Sequence, residues 1–212
     1  MRHRNERRLI QTGAHRAVRV RAPFPQEPVL TLSRSILLFP VLAVFGCATT
    51  ESAATAALAR PSVPAEIEAP ASATPVLQLA ARGTQNYKCQ PTTTGGAEWK
   101  LVAPDAELFR SAEPGGNAAG KHGAGPTWTL TDGSGIKGDG AAAKKAASPE
   151  SGSILWLLIP AQSNGQPGAL QGVTFVQRVG THGGAAPATG CDAASVGGET
   201  KVPYTATYVF YR

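Results

Sequence analysis

Thr127-Trp128-Thr129-Leu130-Thr131 alternates hydroxyl and large apolar side chains, which sends Trp128 and Leu130 to one face and the threonines to the other. That period of two belongs to a strand with one face in a core and the other in water. Outward from it the signal recurs. Downstream, Ile154-Leu155-Trp156-Leu157-Leu158-Ile159-Pro160 is a continuous apolar run, as expected of a strand buried on both faces. Residues 170–179 and 204–211 follow, rich in β-branched and aromatic side chains. Upstream, residues 76–80, 85–89, 98–103 (Trp99 and Leu101 on one face) and 107–110 read as further strands. Gly, Pro, Asn and Asp punctuate the gaps often enough to exclude long helices. About eight short strands joined by Gly-rich loops predict an all-β domain, built as a single β-sandwich or closed β-barrel. Residues 139–152 read as a loop.

The apparent basicity of the chain is local. The net charge is +6, yet residues 1–46 hold eight Lys/Arg against two Glu, and residues 47–212 hold twelve against twelve. A neutral domain offers no electrostatic footprint for a phosphate backbone, so no nucleic-acid partner is expected. Residues 36–45 (Ile-Leu-Leu-Phe-Pro-Val-Leu-Ala-Val-Phe) form a short apolar run after Arg34 and before Gly46-Cys47. The run is far shorter than the ~20 residues of a membrane-spanning helix, and its flanks match an export signal. The sequence therefore divides into four parts. Residues 1–28 are an Arg-rich, non-structural extension, with translation expected to start near Val29 or Leu30. Residues 29–46 are the export signal. Residues 47–72, rich in Ala, Thr, Pro and Glu, bury too little to fold and read as a disordered tether. Residues 73–212 are the all-β domain.

Val44-Phe45-Gly46-Cys47 resembles a bacterial lipobox, with Phe45 standing where a small residue is usual. The resemblance implies lipidation of Cys47 and a membrane partner reached through that lipid. Ala48 after it, by resemblance to enterobacterial lipoproteins, points to the periplasmic face of the outer membrane. The expected address is the bacterial cell envelope. In that oxidising compartment Cys89 and Cys191 read as a disulfide. The competing reading is a metal site shared with His122 or His182, although no zinc-ligand spacing is present.

Chemical motifs are few. Gly115-Gly116-Asn117-Ala118-Ala119-Gly120-Lys121 fits the start of a phosphate-binding loop, but His122 stands where Ser or Thr must ligate Mg²⁺, and Gly123 to Pro126 forbids the helix that must follow. No G-x-S-x-G elbow is present. His122 and His182 both lie in Gly-rich stretches that read as loops. With Asp132 they form a two-His, one-carboxylate set suited to one divalent transition metal. Against that stands a plainer reading, in which each His satisfies loop carbonyls and Asp132 caps the Asp132-Gly133-Ser134-Gly135 turn. Arg178, inside an apolar strand, is expected to pair with a carboxylate or reach solvent. Trp99, Trp128 and Trp156 read as core.

An ordered set of segments carries a family resemblance: Tyr87-Lys88-Cys89, Trp99 to Pro104, His122-Gly123-Ala124-Gly125-Pro126-Thr127-Trp128, Asp132-Gly133-Ser134, Trp156-Leu157-Leu158, Gln177-Arg178-Val179, Thr181-His182-Gly183-Gly184 with Pro187 and Cys191, and Val202-Pro203-Tyr204 to Tyr211. Together they resemble the family catalogued as domain of unknown function 3455, over residues 63–212. The resemblance implies an exported domain and no chemistry. The expectation is thus an envelope β-domain with a binding or structural role, needing no cofactor, whose partner is an unknown protein or small ligand. The alternative is a metal-binding protein or enzyme using His122, His182 and Asp132.

Overall fold

A computed structural model describes residues 57–112 and 115–212. The export signal, Cys47 and the first part of the tether lie outside the described residues. Nine strands follow a short 3₁₀ turn (Ala65–Ile67): β1 (Pro75–Pro91), β2 (Ala97–Phe109), β3 (Gly120–Gly123), β4 (Thr127–Leu130), β5 (Gly135–Gly138), β6 (Lys144–Ala146), β7 (Trp156–Ser163), β8 (Phe175–Gly183) and β9 (Glu199–Tyr211). They make one antiparallel sheet in the order β5-β4-β3-β2-β1-β9-β8-β7-β6, and a further β5–β7 pairing closes it into a ring. One edge of β7 serves two partners, β6 at Trp156 to Leu158 and β5 at Ala161 to Ser163. The all-β expectation holds.

The strands differ from their sequence reading for physical reasons. Residues 76–80 and 85–89 belong to one strand, because Gly83 marks a close crossing and not a turn. A Cβ there would lie 2.1 Å from the Asp105 carbonyl oxygen on β2. Residues 98–103 and 107–110 are likewise one strand through Pro104, which pairs with Gln85 on β1 while β3 begins its pairing only at Ala106. A proline is tolerated where no second neighbour needs its N–H. β3 (Gly-Lys-His-Gly) and β5 (Gly-Ile-Lys-Gly) carry too few side chains to show a period. At Gly120 a Cβ would sit 2.3 Å from the Thr129 oxygen, so the position has no room for one. The supposed loop 139–152 contains β6, three residues on the β7 edge. Leu170 and Val173 precede β8 and pair with no strand, yet both are buried in the core.

Two apolar clusters result. Inside the ring, alternate residues of β1 (Leu77, Leu79, Ala81) and β9 (Tyr204, Ala206, Tyr208, Phe210) meet Leu108, Trp128 and Ile159. Outside it, Val209 and Tyr211 on the opposite face of β9 join Leu158, Ile67, Ala69 and Ala73. This outer cluster corrects the extent of the tether. The end of the presumed tether packs on the sheet, with Ile67 fully buried and its carbonyl accepting from Gln177 Nε2 at 2.7 Å. Arg60 fastens it, donating to the carbonyls of Ala69, Pro70 and Ala73 and lying over the Tyr211 ring at 5.6 Å. Burial of Ile67 contributes about 1.5–3 kcal/mol, which together with the Arg60 and Gln177 hydrogen bonds offsets part of the cost of ordering the segment. Thr74 and Arg212 then exchange two backbone hydrogen bonds, at 2.7 and 3.0 Å.

Trp128 is core as expected, whereas Trp156 flanks the outer cluster and Trp99 is only half-buried. Trp99 Nε1 donates to Thr189 O at 3.0 Å and so ties down the segment 184–198. The Cys89–Cys191 disulfide holds the same segment to β1.

Candidate functional site

The apolar core does not fill the ring. Beyond Gly83, β1 and β2 continue past the short strands, and a cavity of about 540 Å³ opens between them and β7, with His122 (β3), Trp128 (β4), Lys145 (β6), Arg178 (β8) and Tyr208 (β9) completing its lining. Its walls are mostly apolar, contributed by Leu101, Val102, Ile154, Leu155, Leu157 and Ile159 among others. Size and lining fall in the range of small-molecule pockets.

A bulge shapes the mouth. Asn86 pairs with Ala103 and Tyr87 with Leu101, so Val102 is an extra residue in β2 without a partner on β1. Strict alternation would hide every second side chain, but the bulge leaves Leu101 54% and Val102 60% exposed, and both line the cavity. Leu155, 44% exposed, faces the same space. Apolar side chains held open at a rim ease the entry of an apolar ligand.

Polar groups enter this space from inward strand positions. Gln85 continues the buried register of β1 after Ala81, and its side chain reaches toward the Tyr204 hydroxyl. Trp128 borders the cavity with its ring fully buried, and its Nε1–H has no hydrogen-bond partner among the described residues. Tyr87 donates from its hydroxyl to the Gly184 carbonyl at 2.7 Å. Arg178 shares the inward face of β8 with Val176. Its Nε and Nη2 donate to the Leu155 carbonyl at 3.0 and 2.8 Å, and among the described residues no carboxylate pairs with it. Of the two expected fates of Arg178, a carboxylate partner or solvent, the structure gives partial exposure to solvent. The guanidinium is half-buried, fixed by backbone, with Nη1 bonded to no described residue.

His122 belongs to this cavity and not to a loop. It is in β3, 3% exposed, stacked on Trp128 at 4.4 Å between ring centroids and edge-on to Tyr208 at 5.0 Å. Burial, with a smaller contribution from the Arg178 charge, pushes its pKa down to about 4. The ring is therefore neutral at pH 7, with Nδ1–H donating to the Thr127 carbonyl at 2.8 Å, which leaves Nε2 an acceptor. Tyr204 and Tyr208 hold their hydroxyls 3.5 Å apart deeper in the ring, and burial raises the Tyr204 phenol far above its ordinary value.

Asp132 and His182 do other work. Asp132 caps its turn: Oδ1 accepts from the Ser134 amide and hydroxyl at 2.9 and 2.6 Å, and Oδ2 from the Ala169 amide at 2.9 Å. These bonds, the Ser134 hydroxyl first, hold its carboxyl below the usual carboxylate range. His182 is also in a strand, β8, where it is exposed and its Nδ1 contacts Glu150 Oε2. No group of three His, Cys, Asp or Glu among the described residues is placed to hold a metal ion. The structure thus gathers His122 with Arg178, noted in sequence but given no site role, and with Gln85, which was passed over, and not with Asp132 and His182. The missed signal was a polar residue at an inward position of an otherwise apolar alternation.

The family whose model matches this chain is described as "Protein of unknown function (DUF3455)", over residues 70–212. No curated protein and no solved structure matches it.

Proposed function

The chain belongs to the family described as protein of unknown function DUF3455, and from its geometry we propose a non-catalytic binding module of the bacterial envelope that holds a small, largely apolar ligand. The single observation behind this is the cavity of about 540 Å³, walled mostly by apolar side chains. The reading extends to the address. Residues 29–46 act as the export signal, Cys47 carries lipid, and the domain faces the periplasm from the outer membrane on the short stretch that precedes Arg60. A Cys89–Cys191 bridge supports an oxidising compartment.

A neutral naphthylamine dye, N-phenyl-1-naphthylamine, tests the cavity. Its fluorescence is expected to rise on one saturable site per chain. Ala103→Trp, which places an indole on the lining, should weaken binding by about tenfold while leaving the unfolding curve intact. Equal binding by the filled variant would remove the cavity from consideration. The anchor has its own check in bacteria: labelled palmitate should enter the native chain and not Cys47→Ser, and label retained in the variant rules the lipid site out.

A further inference from the structure

The charges around the cavity have one sign. Arg178 and Lys145 are the charged residues on its lining, and neither Asp nor Glu is among them. They are also aligned. Lys145 on β6 pairs with Leu157 on β7, Leu157 with Arg178 on β8, and Arg178 with Tyr208 on β9. These four residues form a row across neighbouring strands, all bordering the cavity, with Lys145 at the exposed rim and Arg178 further in. The positive charge of Arg178 is felt by Tyr87, His122 and Tyr204, which places it at the centre of the polar groups. A guanidinium partly removed from water, clamped on one side by a carbonyl and unpaired by any described carboxylate, is an incomplete ion pair.

We infer that the cavity selects an amphiphilic carboxylate, its aliphatic or aromatic body against Leu101, Val102, Ile154 and Ile159 and its carboxylate paired with Arg178. The inference rests on the ligand-binding reading above and adds the class of ligand. Apolar walls supply affinity without regard to head group, whereas the fork of an arginine discriminates by charge and planarity. Lys145, at the rim, steers the anion inward and contributes little once it is bound.

Competition against the bound naphthylamine dye by decanoate, decan-1-ol and decyltrimethylammonium, on the full chain at pH 7.5, decides between these contributions. Decanoate is expected to displace the dye at about one-tenth the concentration of the alcohol, with the cation weaker still. Arg178→Gln should bring decanoate and decanol to parity. Lys145→Gln, at an exposed position, should cost about twofold and only at low salt. Equal displacement by all three ligands overturns the anion selectivity and leaves the cavity standing. Failure of decanoate to compete while the dye still binds overturns it also. Absence of dye binding fails the cavity reading itself, and the two failures are thereby told apart. If Arg178→Gln does not fold, the contrast among the three ligands on the native chain decides alone.

Discussion

In urea, Cys89→Ser and Cys191→Ser are each expected to unfold well before the native chain, by similar amounts, and the double variant no earlier than either. The bridge links residues 102 apart in sequence. A closed loop of that length restricts the unfolded chain enough to contribute as much as ~4.7 kcal/mol in the chain-entropy account, and often less in practice. With ordinary denaturant slopes, such a loss moves the midpoint by on the order of 1 M or more. Because both cysteines serve one bond, the second substitution removes nothing further, and additive effects would show that the bridge is not the stabilising element. The bond also has a local role. Residues 184–198 contain no named strand, and beyond the bonds of Gly184 and Ala185 at its start the segment is tied to the sheet chiefly by Gly197 N to Cys89 O at 2.9 Å, Cys89 N to Gly198 O at 2.8 Å, and Trp99 to Thr189. Reduction should therefore expose this segment to proteolysis before the sheet melts.

Acidification is expected to weaken the fold earlier than carboxylate chemistry alone would bring about. His122 has a folded pKa of about 4 against an ordinary 6.5. Between those values the unfolded chain binds a proton that the folded chain refuses, so stability rises with pH through that window. The contribution of the neutral, buried ring is complete above pH 6.5 and is gone by pH 4, a difference of about 3 kcal/mol at 1.36 kcal/mol per unit. The groups that oppose its protonation are the apolar surroundings first and the nearby Arg178 charge last. Asp132 and Asp192 have lowered pKa values and act further down, holding stability above pH 3.8 and losing it as the pH falls through their folded values. Urea unfolding at pH 7 and pH 5 isolates His122. The native chain should lose about 2 kcal/mol across that interval, while His122→Gln should start lower and change little. A native curve that does not move between the two pH values would show that the ring is not desolvated.

The alternation at Trp128 and Leu130, the double-faced run at residues 154–160 and the aromatic last strand were all legible as sheet, because each buries side chains at strand spacing. What escaped was backbone accommodation. Gly83, Gly120 and Gly138 look like breaks in a strand, yet each sits inside one, where a neighbour leaves no room for a Cβ. The Asp132 turn was readable as a turn, since an Asx cap needs only the residues that follow it. The site was not readable, because Gln85, His122 and Arg178 lie on three strands of β1, β3 and β8 that only ring closure brings to one cavity. Gln85 and Arg178 betray themselves only as polar residues on the apolar side of their strands, and His122, in Gly-Lys-His-Gly, has no such side to depart from. The bulge at Val102 has no local signature at all, since it exists in the register between two strands.

β9 lies between β1 and β8, although it follows every other described strand in sequence. Until residues 199–211 are available, β1 and β8 have no common partner, and Tyr204, Tyr208 and Phe210 are missing from the core. The first and last strands meet across almost the whole length of the domain, the kind of contact that makes folding slow. The stretch from β1 to β8 therefore cannot close into the native ring ahead of β9, and the sheet is completed in one late, cooperative step.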